Sequence, residues 1–296
     1  MVSTAEKARA QRLERLRGMI DGSLDNPAAA LETLMLELKQ GESQPELWEW
    51  LHAAAARNGK EPELSAAYRQ VATGYRSKQL PKPTQAEVLM HAADFHTGVM
   101  GDVETANTFL MAVLDLVPGH SEAYERLERR FEGDKPKLIE LYAAVAESPP
   151  KTAEQLANTA LNLIVPLTAK TPLSDEVCRR LVAFAPSTPA ILDALEAHCL
   201  KTNRAPLACA LREAALGRGD LPAAVVAQQR RRLIELYIDV AGTPAEAMPH
   251  VEALLERDAA DAQARAAAER LLRTREVASR AATVLNEARR QARAKS

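Results

Sequence analysis

The chain has 296 residues with 38 Lys and Arg against 40 Asp and Glu, a net charge of −2, so no overall field draws it to nucleic acid or to an anionic membrane. Apolar residues make up 47% but aromatic residues only 4%. The abundance of Ala, Leu, Glu and Arg, which lose little side-chain freedom in a helix, predicts an all-α chain.

Residues 1–23 read as a basic N-terminal helix, with five Lys/Arg against two Glu in the first 18 positions. The segment is charged throughout and lacks the apolar core of a signal peptide. No apolar run approaches the roughly 20 residues that cross a bilayer, and the expected location is the cytoplasm.

From residue 24 to 272 the chain is punctuated by breakers: Asp25-Asn26-Pro27, Gly59, Pro81 with Pro83, Gly101-Asp102, Pro118-Gly119, Gly133-Asp134, Pro149-Pro150, Pro172, Pro186, Asn203, Gly219-Asp220 and Gly242-Thr243-Pro244. Such residues end helices or open them, and they divide the chain into about sixteen helices of 11 to 20 residues, or eight hairpins. Gly59 in particular suits a left-handed helix C-cap. The one stretch with strand-like residues, Leu161–Leu167, contains Pro166, so no sheet is expected. Residues 273–296, with seven Lys/Arg against two Glu, read as a basic capping helix. Its apolar positions Val277, Ala281, Val284, Leu285 and Ala288 fall on one side. With both ends basic, the middle of the chain carries −10. The whole is read as one domain, 1–296.

Within this pattern four segments align: QPELWEWL (44–51), HSEAYERL (120–127), TPAILDAL (188–195) and DAQARAAA (261–268). Their last residues, Leu51, Leu127, Leu195 and Ala268, are 76, 68 and 73 positions apart. A small residue precedes each by 21 positions: Ala30, Ala106, Ser174 and Ala247. A second helical pair follows each: Leu64 and Tyr68, Leu138 and Tyr142, Leu207 and Leu211, Val277 and Ala281. The period of about 72 is four helices. Trp48, Leu51, Tyr124, Leu127, Phe131, Leu192 and Leu195 are the expected buried anchors. In VLDLVPGHSEAYERL (113–127) the cluster of His120, Glu122, Tyr124 and Glu125 then reads as a joint: Pro118-Gly119 ends one helix and Ser121 caps the next.

Chemistry-bearing patterns are sparse. No HExxH, Cys-x-x-Cys or Glu-x-x-His occurs. His91, Asp94 and His96 come nearest to a metal set, but His96 is rotated about 140° from His91 on a helix. Gly59-Lys60 lacks the remainder of a phosphate loop. Cys178, Cys199 and Cys209 have no close pairing in sequence and lie in apolar helix, where thiols are inert. His198-Cys199 are adjacent and so point about 100° apart. Arg230-Arg231-Arg232 and the Arg289-Arg290-Arg293 cluster have no aromatic residues with which to stack bases.

The segment from Glu87 to His120 is 34 residues long and holds GDVETA (101–106), Val113, Pro118 and then EAY (122–124). It resembles the tetratricopeptide repeat, with armadillo or HEAT packing as the nearest structural alternative. Where that family has a small residue after the leucine of the first helix, this chain has His52, Glu128, Glu196 and Glu269. The resemblance implies an α-solenoid of about eight antiparallel hairpins, stacked because a single hairpin cannot bury its apolar face. It also implies a non-enzymatic scaffold or adaptor that binds a protein or peptide on its concave face. Carried over by position, the groove residues are Glu49, Arg57, Glu122, Glu125, Arg129, Asp193, Lys201 and Arg270. No catalytic residue, cofactor or metal is expected, and the sequence argues against nucleic acid. The first alternative is a helical enzyme or small-ligand-binding protein with a pocket near His91, Asp94 and His96. The second is a nucleic-acid-binding repeat protein with Arg230–Arg232 in a continuous basic stripe.

Overall fold

A computed structural model describes residues 4–23, 26–39, 45–74, 80–218 and 221–294. The chain is all-α, with sixteen α-helices and no strand among the described residues. It divides into two compact units at the Pro149-Pro150 joint. The first unit contains α1 (Thr4–Gly22), α2 (Pro27–Lys39), α3 (Pro45–Arg57), α4 (Glu61–Ala72), α5 (Lys82–Gly98), α6 (Val103–Leu116), α7 (Ser121–Phe131) and α8 (Lys135–Val145). The second contains α9 (Ala153–Ile164), α10 (Asp175–Leu181), α11 (Ala190–Lys201), α12 (Ala205–Leu216), α13 (Ala223–Glu235), α14 (Met248–Arg257), α15 (Ala262–Leu271) and α16 (Ala278–Ala294). No described helix is long and apolar enough to cross a membrane.

Within each unit, helices pack on those close in sequence, and the substantial contacts join helices no more than three apart in order. The expected anchors supply this packing. Trp48, Leu51, Tyr124, Leu127, Phe131, Leu192 and Leu195 are all buried, and each sequestered side chain of this size contributes roughly 1.5–3 kcal/mol. The aligned segments fall on α3, α7, α11 and α15, every fourth helix. The paired positions that follow are also buried, from Leu64 and Tyr68 on α4 to Ala281 on α16.

Most joints are built as the breakers imply. Gly59 ends α3 at φ +65°, and Asn203 after α11 takes φ +56°, a region where asparagine is better tolerated than most residues. Asp102 and Asp134 cap α6 and α8, each side chain accepting from a backbone N–H three residues on. The Asp25 and Gly219-Asp220 joints lie outside the described residues.

Several expectations are corrected. The helices run from 7 to 19 residues rather than 11 to 20. The shortest, α10, continues as a 3₁₀ turn at Val182–Phe184 before Pro186. The cap of α7 is His120 rather than Ser121: its Nδ1 accepts from the Ala123 N–H at 3.3 Å. The last helix starts at Ala278, not near Arg273, because residues 272–277 form turns in which Val277 is already buried. Beyond α13 the helix widens into a π turn, Leu236–Val240, which the sequence reading did not separate from the helix.

Candidate functional site

In the first unit, α5 and α7 carry two clefts. One, of about 440 Å³, is lined by Met90, His91, Asp94, Val117, His120 and Glu122 among others. His91 is stacked flat on Trp48, with ring centroids 4.3 Å apart and planes 9° apart. Burial holds the His91 pKa below its ordinary value even with Asp94, Glu87 and Glu122 nearby. His96 does not join this cleft: it is fully buried on another side of α5, with Nε2 3.1 Å from Ser65 Oγ and its ring against Phe109. A pocket formed jointly by His91, Asp94 and His96 is therefore not present, as the 140° rotation implied. Among the described residues no group of three His, Cys, Asp or Glu side chains could hold a metal ion.

The other cleft, of about 370 Å³, is lined by Asp94, Thr97, Arg126, Arg129 and Arg130. Arg126 donates to Asp94 and to Glu122, both at 2.6 Å. Arg130 donates to Asn107 Oδ1 at 2.7 Å and to Thr97 Oγ1 at 3.0 Å.

In the second unit, α11, α12 and α13 form a cleft of about 710 Å³. An ionic network centred on buried Arg212 and Glu196 lines it. Arg212, on α12, donates to Glu196 on α11, to Gln229 Oε1 on α13 at 2.5 Å and to Asp193 at 2.6 Å. Arg232 donates to the other Glu196 oxygen at 2.5 and 3.1 Å and to Glu235 at 2.7 Å. Burial alone would raise the Glu196 pKa, but the hydrogen bond from Arg232 and the charge of Arg212 outweigh it, and the carboxylate is held below its ordinary range. Gln228, Arg231 and Gln263 line the same cleft.

The expected groove residues are dispersed. Glu122 lines the His91 cleft, Arg129 the arginine cleft and Asp193 the α11–α13 cleft. Glu49, Arg57, Lys201 and Arg270 line none of the three. Arg57 instead lies over the Trp50 ring, 5.0 Å from its centroid, and Arg270 pairs with Asp239. Glu125 is exposed and offers its backbone oxygen to Arg129. The arginines of the proposed basic stripe are individually paired: Arg230 with His250, Arg231 with Asp261 and Arg232 with Glu196 and Glu235.

Sequence reasoning missed three features. The absence of close cysteine pairing holds only along the chain, because the Cys178 and Cys199 side chains meet in the fold, and that contact, with burial, raises the Cys178 pKa. His198 Nε2 accepts from the Leu173 N–H at 3.1 Å. Finally, Glu213 meets both His250 Nε2 at 2.6 Å and Tyr237 Oη at 3.1 Å beside the π turn. Each joins residues 21 to 37 positions apart, beyond the reach of a local pattern.

No protein-family model matches the chain, and no curated protein matches it.

Proposed function

We propose that the protein is a non-enzymatic scaffold or adaptor that binds a segment of a protein partner, with a tetratricopeptide-like stack as its framework. The observation that carries this reading is the α11–α13 cleft, whose polar side chains are fixed in advance. Asp193, Glu196, Arg212, Gln229, Arg232 and Glu235 hold one another through hydrogen bonds. Exposed Gln228 and Gln263 stand at its walls. Amide and guanidinium groups held in this way match the N–H and C=O groups of an extended peptide and lose little side-chain entropy on binding. The recurrence of the aligned segments on every fourth helix supports the repeat framework, since contacts between sequence neighbours are what a stack requires.

Selection of short random peptides against the purified protein tests the reading. Enriched peptides are expected to lose binding when Gln228 and Gln263 are both changed to Ala. No enrichment, or enriched peptides indifferent to that change, overturns it.

A further inference from the structure

The arginine cleft of the first unit has an unbalanced charge. Arg126 is matched by two carboxylates, Asp94 and Glu122. Arg129 donates Nε to the Glu125 backbone oxygen at 3.2 Å and has no ion-pair partner among the described residues. Arg130 is held only by neutral acceptors, Asn107 Oδ1 and Thr97 Oγ1. The five lining residues comprise three guanidinium groups and one carboxylate, and two of those guanidinium groups, on adjacent residues of one helix, have no carboxylate partner among the described residues.

The chemistry of the Arg130 support is informative. Asn107 is buried on α6, where a carboxylate in place of its amide would orient the same guanidinium and also neutralise it. The amide orients without neutralising. Burial and the charges of Arg126 and Arg129 push the Arg130 pKa below its ordinary value, with Asp94 only partly offsetting them. An anion in the cleft would relieve that repulsion. Arginine presents donors in a planar fork that fits a phosphoryl group, and a phosphate monoester carries about −1.5 to −2 near neutral pH, which the Arg129 and Arg130 guanidinium groups, without carboxylate partners, can meet.

We infer that Arg126, Arg129 and Arg130, with Arg130 oriented by Asn107, form a binding site for a phosphoryl dianion. The site lies in the first unit and does not depend on the peptide cleft of the second. The dianion can come from a phosphorylated side chain or from free phosphate.

Isothermal titration of the full chain at constant ionic strength separates these sources from simple screening, with inorganic phosphate, N-acetyl-phosphoserine amide, dimethyl phosphate and acetate as probes. At least one of the two dianions is expected to bind, and whichever does identifies the source. Arg129→Gln and Arg130→Gln should each weaken it at least tenfold, and Arg289→Gln, the same charge loss on α16, should leave it unchanged. Asn107→Asp should weaken it as much as Arg130→Gln by supplying Arg130 with a carboxylate. If that variant does not keep its helical circular dichroism, Arg129→Gln decides, because Arg129 is exposed and holds only a backbone oxygen. Failure of both dianions to bind, equal binding of acetate, or unaltered binding in the arginine variants overturns the assignment. Dimethyl phosphate binding as tightly as the dianions also overturns it, in favour of the diester backbone of a nucleic acid.

Discussion

His52 Nε2 lies 2.7 Å from Tyr68 Oη, and both side chains are buried between α3 and α4. Sixteen residues separate them, and the same interval separates Glu196 from Arg212 at the equivalent place in the second unit. The residue after the anchoring leucine thus reaches across to the next helix in both units, with a neutral pair in one and an ionic pair in the other.

Removing the Tyr68 hydroxyl should expose the dependence of that core on this polar contact. Tyr68→Phe leaves a buried imidazole nitrogen without its partner, a loss of about 1–3 kcal/mol. Urea denaturation should show a lower midpoint with an unchanged slope. An unchanged midpoint would mean that His52 finds another partner.

Stability should fall on mild acidification. Burial, reinforced by His91 and His96, lowers the His52 pKa to about 3, and those of His91, His96, His198 and His250 are also lowered, chiefly by burial. The unfolded chain takes up these protons near the ordinary histidine value of about 6.5. It therefore binds more protons than the folded chain below that pH, and stability rises with pH across the window. The contribution is fully present above about 6.5 and is lost progressively toward pH 3. Denaturation midpoints measured from pH 7.5 to 4.5 should fall steadily, with a smaller fall for His52→Gln.

The Glu196 network should respond asymmetrically to substitution. Arg212→Met removes the guanidinium that joins α11, α12 and α13 and leaves a buried carboxylate with only the half-exposed Arg232, at a cost of about 3–5 kcal/mol. The double variant Glu196→Leu with Arg212→Met should recover much of that loss, because two apolar side chains can replace a buried ion pair. Thermal unfolding of the two variants checks the order. A double variant less stable than the single would show that Glu196 matters more to Arg232 than to Arg212.

Leu127 is fully buried on α7. Its truncation to Ala should cost about 2–5 kcal/mol, whereas Leu272→Ala, at a side chain 43% exposed, should cost well under 1 kcal/mol. Chemical denaturation of the two variants measures the contrast.

The anchors and joints were legible in sequence because both are local: Leu51, Leu127 and Leu195 recur at fixed places in a helical period, and Pro, Gly and Asp mark the places where backbone groups need caps. The clefts were less legible. Arg126 meets Asp94 across 32 residues and Arg130 meets Thr97 across 33, spacings set by how α7 lies on α5 rather than by any motif. One signal was available. His52 and Glu196 stood out as polar residues at positions the resemblance gives to small ones, and both prove to be buried and paired. Their partners could be found only in the structure.

The π turn at Leu236–Val240 has a consequence for the timing of the helix. An α-helix advances about 100° per residue, and a π turn accommodates more residues in one revolution, so the side chains within it emerge out of step with those of α13. Tyr237 reaches Glu213 on α12 and stacks on His250 of α14, while Asp239, two residues later, reaches Arg270 on α15. Removing one residue here would let the turn close as ordinary α-helix and would rotate the following residues by about a quarter turn. The turn is thus a phase shifter at the end of α13: within one short segment, Tyr237 reaches α12 and α14 and Asp239 reaches α15.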